Sequence, residues 1–180
     1  GMAKPRSSKP RVSETLPPLD RAKLGLTRPC GRSSPPNFVN RLNIPAISIR
    51  HARESDLKAI VAIYNAAIPG RTATADLEPV SVESRRPWFR SHVPSRYPLW
   101  VAERERQIVA WLSVRRFYGR PAYAATAELG IYVAPEYQHR GIGSQLLDLA
   151  VCEGPKLHLT TFLAFIFAHN HPSLNLFEQF

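Results

Sequence analysis

Hydrophobic and polar positions form regular patterns only from about residue 46 onwards. Residues 47–49 alternate in the manner of a β-strand. Apolar residues then recur at helical spacing from Leu57 to Tyr64, and Pro69-Gly70 ends that pattern. We expect Ser55 to cap this first helix. The pattern therefore places the start of a folded domain near residue 46.

A second helix and a β-hairpin are predicted next. Ser81 is expected to cap the helix, which contains Trp88 and Phe89. Apolar runs at 99–102 and 108–114 flank a charged turn at 103–106. Two such runs around a short polar turn are typical of antiparallel strands joined as a hairpin.

The remaining chain predicts a strand, a helix, a strand and a helix. The strands are expected at 123–133 and at 158–168, the second of them buried. One helix follows a glycine-bearing loop and ends at Gly154-Pro155, and the other begins at Pro172. The order β-α-α-β-β-β-α-β-α predicts an α/β (α+β) domain with a mixed, mostly antiparallel sheet flanked by helices.

Residues 1–45 differ from the rest in composition and charge. They hold eight of the 17 prolines and carry nine basic against two acidic residues, or +7 of the net +10. Such a segment buries too little apolar surface to fold, so we predict a disordered basic leader at 1–45 and one domain at 46–180. Gly1 ahead of Met2 is interpreted as a residue left by removal of a tag. A solvated leader is favoured over a nucleic-acid-binding arm or a transit peptide, and we expect no nucleic-acid partner.

Other functional classes lack their signals. No apolar run approaches the ~18 residues that cross a bilayer, so we expect no membrane association. Cys30 and Cys152 lack the spacing of a metal site or the density of a disulfide framework, which favours a cytoplasmic location. His169 and His171 are weak metal candidates, and we expect no metal.

The segment 138–144, Gln-His-Arg-Gly-Ile-Gly-Ser, joins a predicted strand to a predicted helix. The start of a helix leaves backbone N–H groups unpaired and carries partial positive charge, so it suits a phosphate group. Gly141 and Gly143 would allow close approach, and Arg140 adds charge. The segment fits neither the dinucleotide-binding nor the P-loop pattern. An ordinary glycine-containing turn remains the alternative at this point.

Gln138, Gly141 and Gly143 match the signature [QR]-x-x-G-x-[GA], and the chain resembles the GNAT superfamily of N-acetyltransferases over residues 47–180. Within it, the chain is most similar to the phosphinothricin and methionine sulfoximine acetyltransferases. The similar stretches are 63–65, 72–74, 78–81, 120–123, Glu128 with Tyr132, and 166–170.

The resemblance implies acetyl-CoA as co-substrate and a set of residues that bind it. Amides of the signature hold the diphosphate, N–H groups of a splayed strand bind the thioester and the pantetheine arm, and a later N-x-x-[SA] pattern adds contacts. One of the strand N–H groups, that of Val133 in this reading, would polarise the thioester carbonyl. The implied cofactor-binding residues are Ile131, Val133, Gln138, His139, Arg140, Gly141, Ile142, Gly143, Ser144, Asn170 and Ser173. For Asn170, a helix cap is the competing interpretation.

Glu128 is the candidate catalytic residue. It lies within the apolar run 124–133, where a carboxylate is costly unless it is paired or used. Amide formation needs a neutral amine, so a base must remove a proton, and Glu128 matches the glutamate base of the phosphinothricin group. A structural ion pair with an arginine is the alternative.

The resemblance also implies acceptor-side residues. Arg120 and Tyr123 match positions that face the substrate carboxylate, and Thr74 is a weaker candidate. A solvated surface turn is the alternative for Arg120 and Tyr123.

Two departures from the family pattern bear on activity. Phe177 stands where many relatives have a tyrosine that protonates the leaving thiolate, and the family continues beyond the position of Phe180 with two further strands. A sheet without them would have an exposed edge, so the chain is either truncated or completes its sheet by exchange in a dimer, and we expect a homodimer. The predicted function is acetyl transfer to the primary amine of a small amino-acid-like substrate. A non-catalytic acyl-CoA-binding domain and an enzyme acting on peptide N-termini or polyamines are the alternatives.

Overall fold

A five-stranded sheet lies at the centre of residues 46–180, the part of the chain that the computed structural model describes. Its strands are β1 (Ser48–His51), β2 (Leu99–Arg104), β3 (Gln107–Arg116), β4 (Thr126–Val133) and β5 (Thr161–Leu163). They lie side by side in chain order. Neighbours are antiparallel except β4 and β5, which are parallel. The predicted fold class and element order are confirmed, while the proposed leader at 1–45 lies outside the described residues.

Four helices cover the two faces of the sheet: α1 (Leu57–Ala67), α2 (Val82–Arg90), α3 (Ile142–Glu153) and α4 (His171–Phe177). Alternation along the strands sorts the side chains between two cores. On β2, Leu99 and Val101 pack with Ile60 of α1, while Trp100 and Ala102 pack with the α3 side. The sheet therefore separates a core on the α1 side from a core on the α3 side.

The start of α1 differs from the prediction. Its N-cap is Asp56 rather than Ser55, because residues 54–56 form a short 3-10 turn. The Asp56 carboxylate accepts a hydrogen bond from the Arg53 N–H at 2.7 Å and is held by the Arg50 guanidinium at 2.7 and 3.0 Å. Burial favours the neutral acid, but these hydrogen bonds outweigh burial and lower the pKa of Asp56. The predicted cap of α2 is confirmed, with Ser81 Oγ accepting from the Ser84 N–H at 3.0 Å.

Two predicted strands were too long. The segment 121–123 forms a 3-10 turn, so β4 begins at Thr126 and not at 123. β5 covers only Thr161–Leu163 instead of 158–168. Phe165 and Phe167, which the composition placed in a buried strand, are 63% and 41% exposed. Aromatic and β-branched composition predicts a strand, but pairing with a neighbour decides its length.

The last helix runs from His171 to Phe177 and begins one residue before the predicted Pro172. Phe177 is 8% exposed and belongs to the core between α3 and the sheet. Among residues 46–180, no helix is long and apolar enough to cross a membrane.

Candidate functional site

β4 has an open edge over its second half. Its pairing with β5 covers Thr126 to Glu128, whereas its pairing with β3 continues to Val133. The Ala134 N–H donates to Val109 on β3 at 2.8 Å. Because successive N–H groups of a strand point to opposite sides, those of Ile131 and Val133 point away from β3. The two donors therefore face the gap that opens where β5 has ended.

The turn after β4 brings a second set of donors to the same end of the sheet. Gly141 is the N-cap of α3, has φ 75°, and provides no side-chain cap. Residues other than glycine adopt this left-handed conformation at a cost, so the backbone favours glycine here. The first amides of α3 thus face outward without a capping acceptor, as in sites that bind anions.

Gly143 allows close packing between two helices. A Cβ at this position would lie 3.0 Å from Cδ2 of Leu176, so the missing side chain lets α4 pack against the first turn of α3. Ile142 is 1% exposed, which leaves its backbone as the part available to a ligand.

The polar side chains of the turn lie on the surface. Gln138, His139 and Arg140 are exposed, and Gln138 Nε2 donates to the Val133 carbonyl at 3.3 Å. The Arg140 guanidinium lies 5.4 Å from the ring centre of Tyr137. Ser144 is half-buried within the first turn of α3.

Asn170 is a helix cap, as the competing interpretation held. Its side-chain oxygen accepts from the Ser173 N–H at 3.2 Å, and its nitrogen donates to the Thr72 carbonyl at 2.9 Å. Both ends of the Asn170 amide therefore make hydrogen bonds within the protein. Nε2 of the neighbouring His169 lies 3.1 Å from the Arg71 carbonyl oxygen. These bonds tie the start of α4 to the link that follows α1.

Glu128 forms an ion pair with Arg115, the residue directly opposite on β3. The Glu128 side chain is 23% exposed and that of Arg115 is 45% exposed. Glu128 lies on the α1 face of the sheet, with Gly130 and Tyr132 on the same side of β4. The ion pair that was the alternative to a catalytic role is present, and it leaves the carboxylate accessible.

A pocket of roughly 150 Å³ lies between α1, α2 and this face of the sheet, with Glu128 and Arg115 in its wall. Aromatic side chains line much of the rest: Tyr64, Trp88, Trp111, Tyr132 and Phe165. Trp111 and Tyr132 stack with ring centres 4.5 Å apart. Ring pairs of this kind give a rigid apolar surface.

Arg85 and a group of hydroxyls complete the pocket. The Arg85 guanidinium lies 4.5 Å from the ring centre of Tyr64 and pairs with Asp76 at 2.8 Å. The Tyr64 hydroxyl also donates to Asp76, at 2.6 Å, and contacts the hydroxyl of Thr74. Thr74, predicted on the acceptor side, is therefore a buried support behind the pocket wall.

Arg120 and Tyr123 do not line the pocket. Arg120 is exposed at the start of the 121–123 turn, and Tyr123 is 42% exposed with its ring 5.5 Å from that of Phe117. The surface-turn interpretation describes their position in this structure.

Sequence reasoning missed Arg115, Arg85 and the aromatic walls as site residues. The alternation of Trp111, Ser113 and Arg115 along β3 marked one face of a strand, but which residue opposes Glu128 depends on the register between β3 and β4. Within 46–180, no cluster of three or more His, Cys, Asp or Glu residues could hold a metal ion.

The fold, the open strand edge and the glycine turn into α3 define a class of protein. The chain belongs to the acetyltransferase (GNAT) family, whose model matches residues 57–180. The expectation of an acetyl-CoA-dependent N-acetyltransferase is thereby confirmed.

Relatives narrow the class to one group. The chain is 49% identical over 134 residues to "Putative phosphinothricin acetyltransferase YwnH" of Bacillus subtilis, covering 74% of this chain and 82% of the relative. It is 30% identical to an L-methionine sulfoximine/L-methionine sulfone acetyltransferase of Pseudomonas paraeruginosa, covering 73% and 77%. A crystal structure of a GNAT phosphinothricin acetyltransferase from Sinorhizobium meliloti in complex with AcCoA is 28% identical, with a TM-score of 0.69 and coverage of 74% and 72%. The predicted resemblance to the phosphinothricin group is confirmed.

Proposed function

We propose that the protein transfers the acetyl group of acetyl-CoA to the primary amine of a small amino-acid-like acceptor, with Glu128 as general base. The observation that carries the proposal is the position of Glu128, which faces a small aromatic pocket beside the open edge of β4. The names of the relatives, which act on phosphinothricin or on methionine sulfoximine and sulfone, support an acceptor of this size.

The residues of the glycine turn are suited to hold the co-substrate. In our proposal the diphosphate lies against the first amides of α3 at Gly141, Ile142, Gly143 and Ser144, with Arg140 adding charge. Gln138 and His139 border it from the exposed side of the turn. Asn170 contributes through the position of α4, because its side-chain amide makes hydrogen bonds to Ser173 and Thr72. Acetyl-CoA supplies an activated acyl group as a thioester.

Distance along β4 assigns different roles to its two open N–H groups. A strand rises ~3.3 Å per residue, so Ile131 lies about 10 Å and Val133 about 16 Å from Glu128 along the strand. A glutamate side chain, one water and the acceptor amine together reach from the β4 backbone at Glu128 over about 10 Å, the distance to Ile131. We therefore assign the polarisation of the thioester carbonyl to the Ile131 N–H, and contact with the pantetheine arm to that of Val133. This revises the sequence-based choice of Val133 for the first role.

Glu128 has two tasks in this proposal. It binds the ammonium form of the acceptor and then removes a proton, directly or through water, so that the nitrogen lone pair can attack the carbonyl carbon. A general base contributes about 10²- to 10⁴-fold to the rate. Phe177 has no proton to give and is buried in the core, so the departing thiolate takes its proton from water.

The expected homodimer and cytoplasmic location stay predictions. Light scattering of the purified protein would measure the first, and fractionation of cells that express it would measure the second.

The test is a thiol-release assay with acetyl-CoA and a panel of acceptors: phosphinothricin, methionine sulfoximine, methionine sulfone, a short peptide and a polyamine. We expect turnover with the first three and a loss of about 10²- to 10⁴-fold in kcat for Glu128→Gln. Raising the pH should partly restore the variant, because free amine then forms without a base. Tight acetyl-CoA binding with no thiol release from any acceptor would instead identify a non-catalytic domain.

A further inference from the structure

Arg115 lies in the wall of the pocket and has no role in the proposed reaction. It lies opposite Glu128 in the register of β3 and β4, and the two side chains are in contact. Both line the same pocket. The pair adds little to the stability of the sheet, because the Arg115 side chain is 45% exposed and solvent screens the interaction.

The charges of the pocket wall favour an acceptor that carries an anionic group. Two guanidinium groups, Arg85 and Arg115, and one carboxylate, Glu128, line the pocket. Arg85 is engaged by Asp76 and by the face of Tyr64. Arg115 donates to Glu128 through one of its nitrogens, whereas a guanidinium has five N–H donors. Arg115 therefore has donors left for a ligand.

We propose that Arg115 binds the acid group of the acceptor while Glu128 binds its amine. This inference rests on the proposed function. A zwitterionic α-amino acid carries its ammonium and carboxylate on neighbouring carbons, and the Glu128–Arg115 pair presents the opposite charges side by side. The ammonium of the acceptor lies against Glu128 and its acid group against Arg115. Each ion then has a partner, and no charge is left unpaired in an aromatic pocket. The guanidinium matches a carboxylate or phosphinate by paired N–H donors.

The same arrangement disfavours polyamines and amines without an acid group. A second ammonium near Arg115 would be repelled, and a neutral substituent would leave the guanidinium without its partner. Arg115 thus selects among amines, whereas Arg120 does not line this pocket.

Matched substrates and matched variants test this role. The substrates are methionine sulfone and its amide, which share the amine and the side chain and differ in the acid group. The variants are Arg115→Gln, Arg115→Lys and the control Arg116→Gln. Arg116 is the next residue of β3, is exposed, and points to the opposite face of the sheet. Arg115 is itself half-exposed, so its replacement is expected to leave a folded protein.

We expect Arg115→Gln to raise KM for methionine sulfone by about 10- to 100-fold, the range for a lost charge-assisted hydrogen bond, and to change KM for the amide less than about threefold. Arg115→Lys should recover part of the loss, and Arg116→Gln should match the wild type for both substrates. Acetyl-CoA affinity, measured by calorimetry, should be the same in all four proteins.

Four results would overturn the inference. Equal losses for the acid and the amide would make Arg115 a positioning residue for Glu128, and no loss for either would remove it from the site. A wild-type enzyme that acetylates the amide as well as the acid would keep the acetyltransferase function and reject the acid-binding role. If the wild type acetylated neither substrate, calorimetry would compare the binding of the acid and of the amide to the enzyme saturated with coenzyme A. Equal affinities for the two would also reject the acid-binding role.

Discussion

Replacing Gly141 by alanine isolates the conformation on which the α3 turn depends. Gly141 has φ 75°, and a Cβ built there meets no atom within 4 Å. The cost of the methyl group is therefore backbone strain and not a clash. An L-residue in the left-handed region costs about 1–2 kcal/mol, which in a domain of this size lowers Tm by roughly 3–10 °C.

Gly119 supplies a matched control. A Cβ at Gly119 also meets nothing within 4 Å, but Gly141 is the one glycine of the described residues with positive φ. Gly119→Ala should therefore be neutral or stabilise by up to about 1 kcal/mol, because it removes freedom from the unfolded chain. Gly141→Asn should lie between, since asparagine tolerates the left-handed region better than alanine does.

Differential scanning calorimetry with and without acetyl-CoA measures both consequences. Strain at Gly141 relaxes by rotating the peptide planes that lead into α3, so the rise in Tm on adding acetyl-CoA should be smaller in Gly141→Ala than in Gly119→Ala. If Gly141→Ala were as stable as Gly119→Ala, the turn would not have the left-handed geometry, and the argument for a preformed anion site would fail.

Three further outcomes follow from the hydrogen bonds and packing around the site. Tyr132 donates to the Ala73 carbonyl at 2.9 Å, and burial, followed by the nearby phenol of Tyr64, raises the pKa of Tyr132 to about 12. In urea unfolding, Tyr132→Phe should lower the free energy of unfolding by about 0.5–1.5 kcal/mol. This difference should be lost as the pH rises from 10 towards 12, because the unfolded chain then ionises first. Burial opposes ionisation of Asp56, but the hydrogen bonds from Arg50 and the Arg53 N–H outweigh it and lower the pKa of Asp56 below its ordinary 3.8. The destabilisation caused by Asp56→Asn should therefore be full at pH 7 and should shrink as the pH falls below 3.8. A difference in unfolding free energy that did not change with pH would contradict this pairing. Phe177→Ala should cost about 3–5 kcal/mol in the same assay, and a cost below 1 kcal/mol would show that α4 does not pack in the core.

Local patterns along the chain were enough to predict much of the fold. The hairpin of β2 and β3 follows from two apolar runs around a polar turn, and the cap of α2 follows from Ser81, because both depend on neighbours in sequence. The same reasoning placed the cap of α1 at Ser55, one residue early. Arg50 and Glu103, which belong to separate strands, help hold Asp56 in a 3-10 turn that sequence spacing does not reveal.

β5 shows where local reasoning reaches its limit. The run 158–168 has the composition of a buried strand, yet three of its residues pair with β4 and the chain then turns away. Strand length depends on what the neighbouring strand offers, and that is a property of the assembled sheet. The early end of β5 opens the edge at Ile131 and Val133.

The order of elements and the glycine signature at 138–143 were readable from the amino-acid sequence, because each depends on residues close together in the chain. Glu128 stood out as a carboxylate in an apolar run, and its proposed role as base came from the resemblance to the phosphinothricin group. Only the tertiary structure decided which groups meet Glu128. Arg115 reaches it through the register of two strands, the aromatic walls come from both helices and strands, and Arg120, close to Glu128 in sequence, lies outside the pocket. The glycine turn is built from residues close together in the chain, whereas the walls of the pocket depend on packing between distant segments.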